Sequence, residues 1–160
     1  RNQMIEEIKV TQEKYNQYTE RLKYLETEAR AQVADEIKTA KEFGDLSENA
    51  EYAAAKDRQV QIETEIAKIT DILMHIEVLN MDEVCTDCVS FGSKVKLFDK
   101  ENNEEIEYRI LSTLEASSRN NIISDQSPIG KALMGRKKGE TIKVKTPGGE
   151  IEFKILDITK

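Results

Sequence analysis

The sequence contains no Trp, two Cys, two Pro and one His, and only 6% of its residues are aromatic. Such a stock excludes a deep aromatic-lined pocket as the organising feature. No apolar run approaches the length of a membrane span and no signal-peptide pattern opens the chain, so a cytoplasmic protein without a membrane partner is expected. The start, Arg1-Asn2-Gln3-Met4, fits the loss of an initiator Met or a few residues added ahead of the natural start. A structural zinc site needs four ligands, and Cys85 and Cys88 form a lone Cys-x-x-Cys with only His75 nearby. A thioredoxin-type motif would need a helix N-terminus after a strand, which this inter-domain position does not suggest. Two reduced thiols in a linker are the expectation, in keeping with a cytosolic protein.

Clustered positive charge is also missing. Residues 1–80 carry 11 Lys+Arg against 17 Asp+Glu, and residues 81–160 carry 13 against 14. An acidic first half argues against a nonspecific duplex-DNA binder, whose affinity needs Lys and Arg facing phosphates. Nucleic acid could still be met through a few cations or through another protein.

What is present is helical repeat. Charged residues make up 34% of the 160-residue chain, the composition of solvated helix, in a length that allows one or two domains. From Ile5 to Phe43, Ile8, Tyr15, Tyr18, Leu22, Leu25, Ala29, Val33, Ile37 and Ala40 recur by threes and fours, with Thr11 in a seam position. The run of four-residue steps from Leu25 to Ile37 reads as a stutter, where the supercoil should relax. Neither Pro nor Gly interrupts this stretch, which predicts a rod on the order of 55 Å long. Gly44 ends it, as the residue that accepts a positive φ at a helix C-terminus. The pattern restarts with Ala50, Ala53 and Ala54 and continues through Ile62, Ile66, Ile69, Leu73 and Ile76 to about Leu79. A short turn between two long amphipathic helices predicts an antiparallel coiled-coil hairpin over residues 1–80.

Periodicity changes after Asn80. Residues 81–90 read as linker, and the domain over 81–160 reads as a small antiparallel sheet with one short helix. Its strands are predicted at 94–98, 106–111, 121–124, 141–145 and 150–155. The last two are joined at Pro147-Gly148-Gly149, a hairpin turn signal. Ser127-Pro128 opens the helix, which Gly135 stops. The fold class is therefore α+β.

The turn of the hairpin reads Phe43-Gly44-Asp45-Leu46-Ser47-Glu48-Asn49-Ala50-Glu51-Tyr52. Asp45 followed by Glu48 fits a variant capping box for the second helix. It also fits a carboxylate pair presented at the end of a reach, kept ionised by the helix dipole. Mg²⁺ takes oxygen ligands, often only one or two protein carboxylates plus water and phosphate. Two acids are too few for a tight site of their own and suit completing a site whose other ligands belong to a partner. The sequence offers no nucleophile–base pair and no phosphate-cradling Gly loop, so any catalysis must be shared.

Gly44-Asp45-Leu46-Ser47-Glu48-Asn49-Ala50-Glu51-Tyr52 with Ala54-Ala55-Lys56 closely resembles the tip signature of the Gre family of bacterial transcript cleavage factors. Phe91-Gly92-Ser93-Lys94-Val95, the run from Ser127 to Gly135, and Thr146-Pro147-Gly148-Gly149-Glu150 resemble its second half, so the likeness covers nearly the whole chain. The resemblance implies a coiled-coil hairpin followed by an FKBP-like domain that docks at the rim of the RNA polymerase secondary channel. The hairpin would insert through that channel toward the RNA 3′ end of a backtracked complex. No cofactor is expected to bind stably; Asp45 and Glu48 fall on the two acids that share Mg²⁺ with the polymerase active site and assist its hydrolysis of RNA. Ser47 occupies a position the family varies. Asn49 and Tyr52 would support the tip, Lys41 and Lys56 would face the RNA, and Ser127, Pro128 and Ile129 would contact polymerase. For the lysines, plain solvated helix charge remains the other reading, and for Ser127 to Ile129, a helix cap with an apolar staple.

The resemblance further implies a monomer that is not itself an enzyme. Departures are the Cys85/Cys88 pair, the absence of the broad basic patch some members carry, and Glu28-Ala29-Arg30 where many relatives have an Arg-Pro pair. Three rival readings are a Gre-fold inhibitor that blocks the channel, a prolyl isomerase or chaperone, and a coiled-coil adaptor. The intact Asp45-Leu46-Ser47-Glu48 run speaks against the first. The few aromatics after residue 81 (Phe91, Phe98, Tyr108 and Phe153) speak against the second.

Overall fold

The structure, a computed structural model, describes residues 8–44 and 49–160. The chain divides into two units, one containing residues 12–76 and the other residues 8–11 with 77–160.

The first unit is a helical hairpin. Its outgoing arm is α1 (Gln12–Tyr24), a π-helical turn (Leu25–Ala29) and α2 (Arg30–Lys41); its return arm is α3 (Ala50–Met74). The π turn falls at the start of the stutter. Arg30 donates its N–H to the Leu25 carbonyl, five residues back, which takes up one extra residue and lets Leu25, Ala29, Val33 and Ile37 all face inward. Leu25 and Ala29 pack on Ile66 and Ile69, and Val33 and Ile37 pack on Ala55.

Three features of the hairpin differ from expectation. Ile8 to Val10 is a strand, β1, and the helix begins only at Gln12. The return arm stops at Met74, and Ile76–Val78 forms β2, paired with β1 in a two-stranded sheet. Near the turn, Tyr52 and Ala55 face inward while Ala50, Ala53 and Ala54 are exposed. The heptad set by Ile62 and Ile69 runs back through Ala55 to Tyr52 and leaves the other alanines on the flank.

Arginines staple the flanks of the two arms. Arg21 binds Glu65 at 2.7 Å and Arg30 binds Glu63 at 2.7 Å, while Arg58 Nε donates to Glu36 at 2.8 Å. The guanidinium hydrogen bonds of Arg30 and Arg21 hold the Glu63 and Glu65 carboxyls below the ordinary carboxylate value. These pairs are half-exposed, so they orient the arms more than they stabilise them.

The second unit is a five-stranded sheet in the order β5 (Ile122–Ser124), β4 (Glu104–Leu111), β3 (Lys94–Asp99), β7 (Gly149–Thr159), β6 (Thr141–Thr146). All neighbours are antiparallel except β4 and β5, which run parallel; the expected all-antiparallel sheet is thus a mixed one. The chain returns to β5 through residues 112–121, long enough to reverse direction again. Val95, Leu97, Ile110, Ile142, Val144, Phe153, Ile155 and Ile158 form the core. In β7 the pairing with β3 skips Leu156: Leu97 faces Ile155 but Lys96 faces Asp157. This bulge resets the alternation so that both Ile155 and Ile158 point inward.

Helix α4 (Pro128–Leu133) closes the core with Leu133. Asp99 ends β3 by accepting the backbone N–H groups of Glu101 and Asn102 at 2.9 and 3.2 Å and the Asn102 side-chain amide at 2.9 Å. These bonds, the Asn102 side chain foremost, lower its pKa. The stretch expected to be a linker is folded into this unit: Leu79 and Val84 pack with Leu111, and Val89 sits in the sheet core.

Candidate functional site

The hairpin closes on one side chain. Asn49, in an extended conformation, is the N-cap of α3 and accepts the N–H groups of Glu51 and Tyr52 at 3.0 and 3.1 Å. Its side-chain nitrogen donates to the Ala40 carbonyl of α2 at 2.7 Å. One amide therefore satisfies two donors at the start of one helix and adds a bond to a last-turn carbonyl of the other. On the α2 side, Phe43 donates to the same Ala40 carbonyl at 3.2 Å, and Gly44, at φ +99°, donates to the Lys41 carbonyl at 3.4 Å. The cap expected at Asp45 is thus supplied by Asn49, the residue directly before the first turn of α3, where geometry requires it. Asp45, Leu46, Ser47 and Glu48 lie outside the described residues.

Tyr52 joins the clasp to the seam, since its ring packs against the Val33, Ile37 and Ala55 cluster. Lys41 is the last residue of α2 and Lys56 lies in the second turn of α3; both are exposed. Lys56 Nζ donates to Gln59 at 3.0 Å, one helical turn further from the clasp. The two candidate cations therefore flank the base of the turn on different arms.

In the second unit the Ser127-Pro128-Ile129 run opens α4. Ser127 Oγ accepts the Gly130 N–H at 3.1 Å and donates to the Ser124 carbonyl at 2.6 Å. Ile129 leans on the sheet core, and Pro128, in the first turn, is the exposed member of the three. Gly130 is required by close approach: a Cβ there would stand 2.1 Å from the Ser124 carbonyl oxygen. The run is consequently a rigid presentation of Pro128, held by its cap on one side and its apolar neighbour on the other.

Among the described residues no group of three or more His, Cys, Asp and Glu side chains could hold a metal ion. Nor is any helix among them long and apolar enough to cross a membrane. Cys85 and Cys88 are free thiols, half-exposed, with their sulfurs 3.6 Å apart. Sequence reasoning missed both the Asn49 clasp to Ala40, whose signal is only an Asn directly before a helical repeat, and the closeness of the thiol pair.

Two amphipathic arms closed by the Asn49 clasp, followed by a small mixed sheet, define a helical-hairpin protein with a separate sheet unit. Two family models match in order. The one described as transcription elongation factor, N-terminal, covers residues 8–78, and the one described as transcription elongation factor, GreA/GreB, C-term, covers residues 84–160. The chain belongs to the GreA/GreB family of transcription elongation factors. It is 48% identical to the transcription elongation factor GreA of Caldanaerobacter subterraneus and 46% identical to that of Thermoanaerobacter pseudethanolicus; each match covers 98% of this chain and 100% of the relative. The crystal structure of GreA factor homolog 1 from Thermus thermophilus aligns with 96% of this chain and 99% of its own at 28% identity, with a TM-score of 0.43, a likeness too loose to weigh in the assignment.

Proposed function

We propose that this chain, a transcription elongation factor by family, acts on RNA polymerase as a transcript cleavage factor. The hairpin enters the secondary channel and brings Asp45 and Glu48 beside the active site of a backtracked complex, where the polymerase cleaves its own RNA. The observation that carries this reading is the clasp. Asn49 ties the two arms together at Ala40, and in the sequence the run Asp45-Leu46-Ser47-Glu48 immediately precedes it and the 25-residue helix that it caps. A helix N-terminus favours negative charge close to it.

Carboxylate oxygens suit Mg²⁺, and two of them leave most of its coordination to water, RNA and polymerase. Held jointly, such an ion would neutralise charge on the attacking water and the leaving oxygen. Asp45 and Glu48 would supply this chain's share of its oxygen ligands. Lys41 and Lys56, on opposite arms, face the phosphates of the extruded 3′ segment. Ser127, Pro128 and Ile129 dock the second unit at the channel rim, with Pro128 making the exposed contact. In this reading the chain works as a monomer in the cytoplasm and is a stimulator, with the bond broken by the polymerase.

The test is a stalled, backtracked bacterial elongation complex with 3′-labelled RNA, given Mg²⁺ and either the wild type or the double variant Asp45→Asn, Glu48→Gln. The wild type should release short 3′ fragments. The variant should bind polymerase equally and release them about two orders of magnitude more slowly, the scale of lost contacts to developing charge. Slowed elongation without release by the wild type would instead identify a channel-blocking inhibitor.

A further inference from the structure

The elongation reading leaves Cys85 and Cys88 unused, and their setting is unlike that of stray surface thiols. Their flanks are fixed. Val84, 4% exposed, packs with Leu79 and Leu111, and Val89, 1% exposed, lies in the sheet core. Val89 donates its N–H to the Arg136 carbonyl at 2.7 Å and accepts the Gly135 N–H at 2.8 Å. Between these anchors the loop is tied back on itself. Cys85 donates its N–H to Ser90 Oγ at 3.0 Å, and Ser90 donates its N–H to the fully buried Ser93 Oγ at 2.9 Å. Within this frame the Cys88 thiol donates to the Cys85 sulfur across 3.6 Å, and both residues are partly exposed.

We propose that Cys85 and Cys88 are a reversible disulfide site, with Cys85 the sulfur that reacts first and Cys88 the one that resolves it, taking hydroperoxides or small-molecule disulfides as oxidant. Closing the bond needs the sulfurs to approach to about 2.05 Å, a contraction of roughly 1.5 Å taken up by the short loop and its Val89 end. The two thiols are unequal. Backbone N–H of Cys88, then its thiol, then the N–H of Asp87 favour the Cys85 thiolate and lower its pKa, against burial and the Asp87 charge. Cys88 is pushed the other way, first by its bond to Cys85, then by burial and the charges of Cys85 and Asp87, with Lys137 opposing. The first proton is therefore lost from Cys85, which makes it the nucleophile.

With hydrogen peroxide, the Cys85 thiolate attacks one oxygen. The S–O bond forms, the O–O bond breaks, and hydroxide leaves as water after taking a proton. Cys88 then attacks the Cys85 sulfenic sulfur. The S–S bond forms, the S–O bond breaks, and the hydroxyl leaves as water with the Cys88 proton. The two thiols lose two electrons and two protons in all, and the peroxide is reduced to two waters; a dithiol reductant reverses the change. The movement reaches Val89, and through its two backbone bonds the Gly135–Arg136 turn that follows α4.

The experiment uses the full chain, reduced and freed of reductant, then given hydrogen peroxide or glutathione disulfide. Both thiols should disappear together with the loss of two hydrogens from the monomer mass, the amide signals of Val89, Gly135 and Arg136 should shift, and dithiothreitol should restore everything. In the reduced wild type, a limiting amount of alkylating agent should label Cys85 roughly ten times faster than Cys88. Equal labelling of the two thiols, disulfides only between chains, or independent loss of the two thiols on oxidation would each overturn the proposal. So would zinc retained by the reduced chain in a form that protects both thiols, which would make the pair half of a metal site shared between two copies. None of these readouts involves polymerase, so the disulfide site and the elongation reading stand or fall separately.

Discussion

At the residue scale the hairpin turns on Asn49. Its oxygen and nitrogen do different jobs, and substitution can separate them. Asn49→Asp keeps an acceptor for the Glu51 and Tyr52 N–H groups but has no donor for the Ala40 carbonyl. Asn49→Ala loses both. We expect Asn49→Ala to cost the hairpin about 1–2 kcal/mol, the range for a lost N-cap. Asn49→Asp should fall between it and the wild type, as read by urea unfolding followed through the helical circular dichroism signal. Equal stability of the alanine variant and the wild type would show that the clasp does not hold the arms. Ser127 is the counterpart in the second unit, and there the local signal sufficed: a Ser-Pro pair ahead of a short apolar run is a helix start whatever surrounds it. Asn49 was legible as tip support but not as a clasp, because the Ala40 carbonyl it reaches is nine residues back across the turn.

At the element scale the informative piece is the π turn, Leu25–Ala29. The sequence marks it as four-residue steps, and the structure resolves those steps by accommodating one residue more than an α-helix would. It follows that one residue can be removed there without disturbing the seam on either side. Deleting the exposed Glu28 should leave a continuous α-helix and a stability within about 1 kcal/mol of wild type. Deleting the exposed Lys68 from the uninterrupted α3 should rotate Ile69 and Leu73 out of the cluster built on Leu25 and Ile66, at roughly 2–5 kcal/mol. Thermal and urea unfolding of the two deletions side by side would decide it; comparable losses would mean the π turn is not a tolerated insertion. The bulge at Leu156 is a parallel case in a strand. Its alternation reads cleanly to Ile155, and then the inward face changes parity at Ile158.

At the scale of the whole molecule, the first described residues belong to the second unit. Thr11 donates its N–H and its hydroxyl to the Glu115 carboxylate at 3.0 and 2.5 Å, Leu79 donates to the Val10 carbonyl at 2.7 Å, and Val10 is fully buried. Substitutions near the chain start should therefore weaken the sheet and spare the hairpin. We expect Val10→Ala to lower protection of the β4 amides in hydrogen exchange by about 2 kcal/mol, with the amides of α3 unchanged. A loss confined to α3 would contradict this division of the chain.

The sequence by itself determined the two-arm hairpin, the place of its turn, the cap at Ser127, the β6–β7 hairpin and the family. Each of these is written in residues a few positions apart or in a contiguous motif. Only the tertiary structure decided that Ile8 to Val10 leaves the helical repeat for a strand, that β5 lies parallel to β4, and that residues 79–90 are packed rather than loose. Each depends on a partner far along the chain: Thr11 and Glu115 are 104 residues apart, and Val89 bonds to Gly135 and Arg136. Helical spacing records which face of a segment is apolar, and Ile8 satisfies it as well as Tyr15 does. What removes Ile8 from the helix is a neighbouring strand and a buried site for Val10, neither of which a repeat of three and four residues can encode.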